Sequence, residues 1–210
     1  MESGRANQGE IMAEKQAASW QWSKTGETQR RLLDAAQDVF AESGFLNANI
    51  SDIVERAGSS TGSLYHHFGG KSELYTALWD RHNSAHLEQV RAAVAAERRA
   101  GTDDPLELFC VGARAFLAGS WQRRDVAAVF LDNDGPPGFE RRRREGRIEW
   151  IRQNSALLGP ADTSRNRITL GVLTDVIVES SREVVVHCRT RKQATVVADF
   201  MEELIRKLSV

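Results

Sequence analysis

ISDIVERAGSSTGSLYHHFGGKSEL, residues 50–74, decides how this 210-residue chain is read. Ile50, Ile53, Val54 and Ala57 recur at helical spacing and stop at Gly58, so a short helix ends there. Asn49 stands at its cap position, and Asp52, three residues on, where a capping-box acid would be. Two residues after Gly58, Ser60 caps a second helix whose inward pair, Leu64 and Phe68, is spaced i, i+4. Two helices joined by so short a turn form the helix-turn-helix pattern, in which the second helix is offered to the DNA major groove. Thr61, Gly62, Ser63, Tyr65, His66 and His67 are left for the outer surface. Small residues at the front let the backbone come close to base edges and phosphates, and the free N–H groups of a helix start favour anions without side-chain charge. Lys71, opening the next helix after Gly69 and Gly70, adds a point charge for a phosphate.

Outward from this stretch the chain reads as all-α. Only Pro105, Pro136, Pro137 and Pro160 interrupt it, and no segment alternates strictly enough to demand a strand. Residues 1–24 are polar and expected to be a flexible tail; 25–71 form the helix-turn-helix unit and 72–210 a larger helical domain. A first helix over 27–43 carries Leu32, Leu33, Ala36, Val39 and Phe40 on one face, with Gly44 as its left-handed terminator. Helices follow at about 72–99, 105–122, 124–131, 139–158, 162–188 and 191–208. The last two are joined so tightly that they should lie antiparallel. The final helix has a clean 3–4 stripe from Ala194 to Leu208, whereas its predecessor is apolar on more than one face. A helix with two apolar sides needs two neighbours, one of which is a ligand cavity or a second subunit. The expected dimerisation residues are Ile177, Val184, Val197, Met201, Leu204, Ile205 and Leu208.

Bulk properties narrow the class further. The formal charge is −1 with 27% charged residues, so any electrostatic footprint is local. Cys110 and Cys188 are too few and too far apart for a disulfide framework or a metal site, which fits a reducing compartment. No apolar run approaches a membrane span and the N-terminus lacks a secretory pattern, so a cytoplasmic protein without a membrane partner is expected.

The segments LLDAAQDVFAESGF (32–45) and 50–74 together resemble the TetR family of transcriptional repressors. Ala35-Ala36, Phe40, Gly44-Phe45, Ile53, Ala57-Gly58, Leu64-Tyr65, Phe68 and Lys71 stand in the family's order and spacing. The resemblance implies that Thr61 and Gly62 read base edges, that Ser60, Ser63, Tyr65, His66 or His67, and Lys71 contact phosphates, and that Asn49 approaches the backbone as well. It also implies a homodimer on double-stranded DNA, a C-terminal domain for a small-molecule effector, and release of DNA when the effector arrives. One departure shapes the expected readout. Residues 24–81 hold six cations against eight acids, a net charge of −2, and 61–63 carry no Arg, Lys, Asn or Gln for bidentate base pairing. Readout should rest on thymine methyls, hydroxyl contacts and DNA shape, with a shallow salt dependence.

In the effector half, His86, Phe109, Arg114, Phe116, Trp121, Phe130, Trp150, Asn154 and Asp175 are the candidate ligand-binding residues, Asp175 because an acid on an apolar helix is hardest to explain otherwise. His82 and His86 have the i, i+4 spacing of metal ligands but no third partner, so no metal and no cofactor is expected. FLDNDG (130–135) fails as a calcium loop because Phe130 fills the first ligand position and Arg141 the twelfth. ERRRREGR (140–147) reads as a salt-laced solvated face through its i, i+4 pairs. Two rival classes stay open: a helical adaptor that dimerises without binding DNA, and a metal-dependent helical enzyme using His82 and His86. Neither a nucleophile elbow nor a phosphate loop supports an enzyme.

Overall fold

The computed structural model describes residues 3–131, 134–158 and 163–209, with side chains described from residue 25 onward apart from 153–157. Among these residues the chain is helical without a strand: α1 (Ser3–Asn47), α2 (Ile50–Arg56), α3 (Thr61–Phe68), α4 (Lys71–Arg99), α5 (Pro105–Gln122), α6 (Arg124–Val129), α7 (Phe139–Leu158), α8 (Ser164–Val186) and α9 (Arg191–Leu208). None is long and apolar enough to cross a membrane.

α1 reaches back to Ser3, so the backbone of residues 3–24, expected as a tail, is helical. Ala, Glu, Lys and Gln in IMAEKQAA (11–18) are good helix formers, and no proline interrupts the ladder. Gly44 breaks the helix where expected, but at φ 73° and ψ 170°, a conformation essentially closed to residues with a Cβ, and not in the left-handed helical region. The Asp134 carboxylate occupies the place a Cβ would take. Its Oδ1 and Oδ2 accept from the Leu46 N–H at 3.2 and 3.3 Å, tying the α6–α7 connection to the α1–α2 corner.

α2 starts at Asn49 without a side-chain cap; the Asn49 amide instead donates to Asp52 Oδ2 at 3.4 Å, so the expected capping box does not form. A cap would need Asn49 Oδ1 to accept from the N–H groups of the first turn; instead the side chain turns its NH2 group to the Asp52 carboxylate. Gly58, at φ 56°, carries the chain out of α2, and Ser60 Oγ accepts from the Ser63 N–H at 3.1 Å to start α3 as expected. Downstream caps are equally local. Asp104 accepts from the N–H groups of Leu106 and Glu107, with Pro105 at the first position of α5, and Thr190 and Gln193 form a capping box on α9.

Two hydrophobic clusters organise the packing. The first holds Leu32, Val39 and Phe40 of α1, Ile53 of α2, Leu64 of α3 and Leu74, Tyr75 and Leu78 of α4, and also Val126 and Phe130 from around α6 and Phe139 of α7. Tyr75 is its hub. Its ring meets Phe40, Phe45, Phe130 and Phe139 edge-on at centroid distances of 5.0–5.2 Å, and its hydroxyl donates to the Val129 carbonyl at 3.0 Å. A cut after residue 71 therefore divides the chain but not this core. The second cluster joins Phe109, Cys110, Ala113 and Leu117 of α5 to Leu173, Ile177 and Val184 of α8 and Ala194, Ala198, Met201 and Ile205 of α9. Burial pushes the Cys110 thiol up to about 11, so it stays protonated.

The α9 stripe thus faces inward. Ile177, Val184, Met201 and Ile205, expected at a dimer interface, are fully buried within one chain, while Val197 and Leu204 are half-buried and Leu208 is exposed. A single 3–4 stripe is satisfied by the nearest apolar surfaces, here α5 and α8. The apolar side chains left outward on these helices are Ile168, Val172, Val178 and Val186 on α8 and Val196, Phe200 and Leu208 on α9, Phe200 being 58% exposed.

Candidate nucleic-acid interface

α3 is held by its inner side. Leu64 is fully buried and Phe68 packs on the first cluster, which fixes the outward set by the helical period. Ser60, Thr61, Gly62, Tyr65 and His66 are exposed, and Ser63 and His67 are half-buried. Tyr65 is 51% exposed, and the His66 and His67 rings meet edge-on at 5.1 Å. Since Ser60 satisfies the Ser63 N–H, and the Leu64 N–H bonds the Ser60 carbonyl, the N–H groups of Thr61 and Gly62 remain at the leading edge. A Cβ built on Gly62 would meet only Ser60 Oγ, at 4.0 Å, so the surface there is open.

Charge around this edge is mostly committed within the domain. Lys71 donates to the carbonyls of Phe45 (2.7 Å), Leu46 (3.2 Å) and Ala48 (2.9 Å), with its ammonium 4.6 Å from the centre of the Phe45 ring. The lysine expected at a phosphate therefore neutralises the carbonyl-rich end of α1 here, using all three of its donors. Arg31 donates to the carbonyls of Ala57 and Gly58, the latter at 2.6 Å, and closes the end of α2. Arg56 is bidentate on Glu42, at 2.7 and 2.9 Å, and Arg81 pairs with Asp34 at 2.6 Å. Asn49 is exposed beside Asp52 at the corner before α2. Spacing alone could not reveal these pairings, because they join residues 14 to 47 positions apart.

The expected ligand residues separate. His86, Phe116 and Trp150 come together: His86 lies 4.6 Å from the Phe116 ring, which lies 5.7 Å from Trp150. Phe130 belongs to the first cluster and reaches this group only through His82, at 5.6 Å. Phe109 is core. Arg114 is not free: it pairs with Asp199 at 2.8 Å and Glu202 at 2.9 Å, in a network with Arg206 and Glu107 that joins α5 to α9. Asp175 is a surface residue paired with Arg147 of α7 at 2.6 Å, which explains an acid on α8 without a ligand. Trp121 is stacked under Arg124 at 4.5 Å. The Asn154 side chain lies outside the described residues.

His82 and His86 are 9% and 3% exposed, with rings 4.5 Å apart. Burial first and then the charge of Arg123 lower His82 to about 4, and burial, then His82, then Arg123 lower His86 to about 3, so both are neutral near pH 7. Among the described residues no group of three or more His, Cys, Asp or Glu side chains could hold a metal. Sequence reading missed Gln89 and Arg123, which meet at 2.8 Å beside this pair. Gln89 is three residues past His86 on the same helix face, the one signal that was available. An open groove of about 600 Å³ along α4, lined by Ser84, Leu87, Glu88, Arg91 and Ala92, lies on the opposite face of the helix.

The profile of the bacterial regulatory proteins of the tetR family matches residues 32–78, from the first buried turn of the first cluster through Tyr75. A transcriptional activator, FasR of Mycolicibacterium smegmatis, is 41% identical over 68 residues, covering 32% of this chain and 31% of that protein. A transcriptional repressor, AcnR of Corynebacterium glutamicum, is 34% identical over 67 residues, covering 32% and 35%. The A-factor receptor protein of Streptomyces griseus is 40% identical over 121 residues, covering 53% of this chain and 40% of that protein. The chain thus spans only about a third to two-fifths of the length of these relatives. The fold extends further. A TetR-like regulator from Rhodococcus sp. RHA1 superposes with a TM-score of 0.68 at 22% identity, over 86% of this chain and 94% of that one, and one from Shewanella sp. PV-4 with 0.66 at 22%, over 85% and 95%. Residues 32–78 thus carry a helix-turn-helix of the bacterial tetR-family type, and the all-helical fold is the one seen in TetR-like regulators.

Proposed function

We propose that this chain is a ligand-responsive transcriptional repressor that binds a palindromic operator as a homodimer and leaves it when a small-molecule effector occupies the larger helical part. The observation that carries the reading is the leading edge of α3, with Ser60, Thr61, Gly62 and Tyr65 exposed and Leu64 anchoring the helix from behind. Two such helices about 34 Å apart read successive major-groove faces. Thr61 and Gly62 are the base-edge readers; Ser60, Ser63, Tyr65, His66 or His67, with Asn49 at the corner, meet the backbone. Lys71 joins them only by giving up a carbonyl of Phe45, Leu46 or Ala48.

Pairing of two copies uses the outward faces of α8 and α9, where Ile168, Val172, Val196 and Phe200 are exposed and Leu204 and Leu208 extend the patch. Closing such faces into a four-helix contact removes apolar area from water and fixes the separation of the two α3 helices. Effector binding acts through that separation. A relative that is itself named a receptor supports the ligand-responsive part.

Genomic fragments retained by the purified protein test the reading. Palindromic sites should be enriched, bound with a low-slope salt dependence, and lost on Tyr65→Ala and Thr61→Ala, while Phe200→Glu yields a folded monomer with weak DNA binding. No enriched palindrome means that the chain is an adaptor without DNA binding.

A further inference from the structure

We propose that Arg123, Gln89, His82 and His86 form the recognition site for the carboxylate of a monoanionic organic acid, whose apolar or aromatic body lies against Phe116 and Trp150. The proposal rests on the effector-responsive reading and names the chemical class of the effector.

Arg123 differs from its neighbours. Arg114, Arg147 and Arg206 each hold carboxylates at 2.6–2.9 Å. Arg123 is half-buried at the α5–α6 junction, and among the described residues its guanidinium meets one side-chain acceptor, the neutral Gln89 Oε1 at 2.8 Å. Desolvation is what lowers it, and among the described residues no acid stands close enough to balance it. Three buried side-chain atoms among the described residues have no hydrogen-bond partner: Arg123 Nε, His82 Nδ1 and His86 Nδ1. All three belong to this one group. A buried polar atom is ordinarily paired, and an unpaired cluster around an uncompensated cation is a place for an outside partner.

The geometry focuses that partner. Gly119 leaves room for the tips to converge, since a Cβ there would lie 2.9 Å from Gln89 Oε1 and 3.0 Å from His86 Nδ1, and closer still to Arg123. Arg123 Nε–H and an imidazole N–H suit the two oxygens of one carboxylate. A metal cation is disfavoured beside a guanidinium, and a dianionic phosphate would leave one negative charge unbalanced. The Phe116 ring, 4.6 Å from His86 and 5.7 Å from Trp150, supplies the apolar wall.

The test uses the intact chain and a series of acids, butyrate, octanoate, phenylacetate and 1-naphthylacetate, each beside its primary amide. Binding is followed by calorimetry and tryptophan fluorescence. At least one acid should bind ten times tighter or more than its amide, and Arg123→Gln should abolish the preference while Arg124→Gln leaves it intact. Arg123→Gln should also keep or raise the melting temperature of the ligand-free protein. Equal binding of acids and amides, or a sharp loss of ligand-free stability in Arg123→Gln, overturns the proposal. Acid binding that depends on Arg123 but does not release operator DNA supports the site and refutes the effector reading. Release of operator by neutral compounds alone, with no acid bound, does the reverse.

Discussion

The two ends of α4 treat buried polarity in opposite ways. At its N-terminal end every buried polar group has a protein partner: Tyr75 reaches the Val129 carbonyl, and Lys71 reaches three carbonyls at the end of α1. Eleven and fifteen residues after Lys71, His82 and His86 are buried but leave Nδ1 atoms without a partner, facing an arginine whose charge no described residue balances. The first arrangement maximises stability and holds α3 in one orientation. The second gives up stability, which makes sense only where another molecule supplies the missing contacts.

The largest effect that breaks this contrast is at the hub. Tyr75→Ala removes four ring contacts and one hydrogen bond from a fully packed site. It should cost about 3–5 kcal/mol, as truncation of large buried aromatics does. Denaturant unfolding measures it, and His86→Phe in the same assay should be close to neutral because it removes an unpaired nitrogen. A loss comparable to that of Tyr75→Ala would show that the two regions do not differ in kind.

Next comes pH. His82 and His86 are held at about 4 and about 3, below the 6.5 of an exposed imidazole, so between these limits the unfolded chain binds more protons than the folded one. Stability is complete above pH 6.5 and falls as the pH drops toward 4. Loss on the order of 2–4 kcal/mol is expected between pH 7 and pH 5. His86→Phe should take away roughly half of that slope. A flat profile over this interval would mean that the pair is solvated in solution.

A smaller effect sharpens the satisfied side. Lys71→Met leaves three carbonyls at the end of α1 without their cation and should cost about 1.5–3 kcal/mol, the range for hydrogen bonds to charged groups. If Lys71 also trades a carbonyl for a phosphate on DNA, the salt dependence of operator binding loses about one unit of slope in the variant. An unchanged slope assigns the lysine to the corner alone.

What the sequence made legible follows the range of the interactions involved. Local signals carried through: the break at Gly44, the Ser60 cap, the inward pair Leu64 and Phe68, and the hairpin of α8 and α9. Each depends on residues within a turn or two of one another. Side-chain partners further along the chain were not legible. Asp175 looked like a ligand residue until Arg147 was found beside it, and the α9 stripe looked like a subunit interface until α5 and α8 covered it. Periodicity names the apolar face of a helix but not its occupant. Arg123 was missed for a related reason: an arginine is ordinary in sequence, and only the lack of an acid partner among the described residues makes it unusual.

The finest probe of the interface is one methyl group. Gly62 lies inside α3 with a free outer surface, so Gly62→Ala fits without a clash and should raise stability by about 0.5–1 kcal/mol, the helical preference for alanine. On DNA the same methyl stands between the backbone and the groove. If the small residues at 61–63 exist to let the main chain approach a base edge, operator affinity falls several-fold while the protein melts higher, a combination that packing changes do not produce. Affinity that holds or rises with stability would place the groove contact further along α3, at Tyr65 and His66, and leave the glycine as an ordinary exposed position.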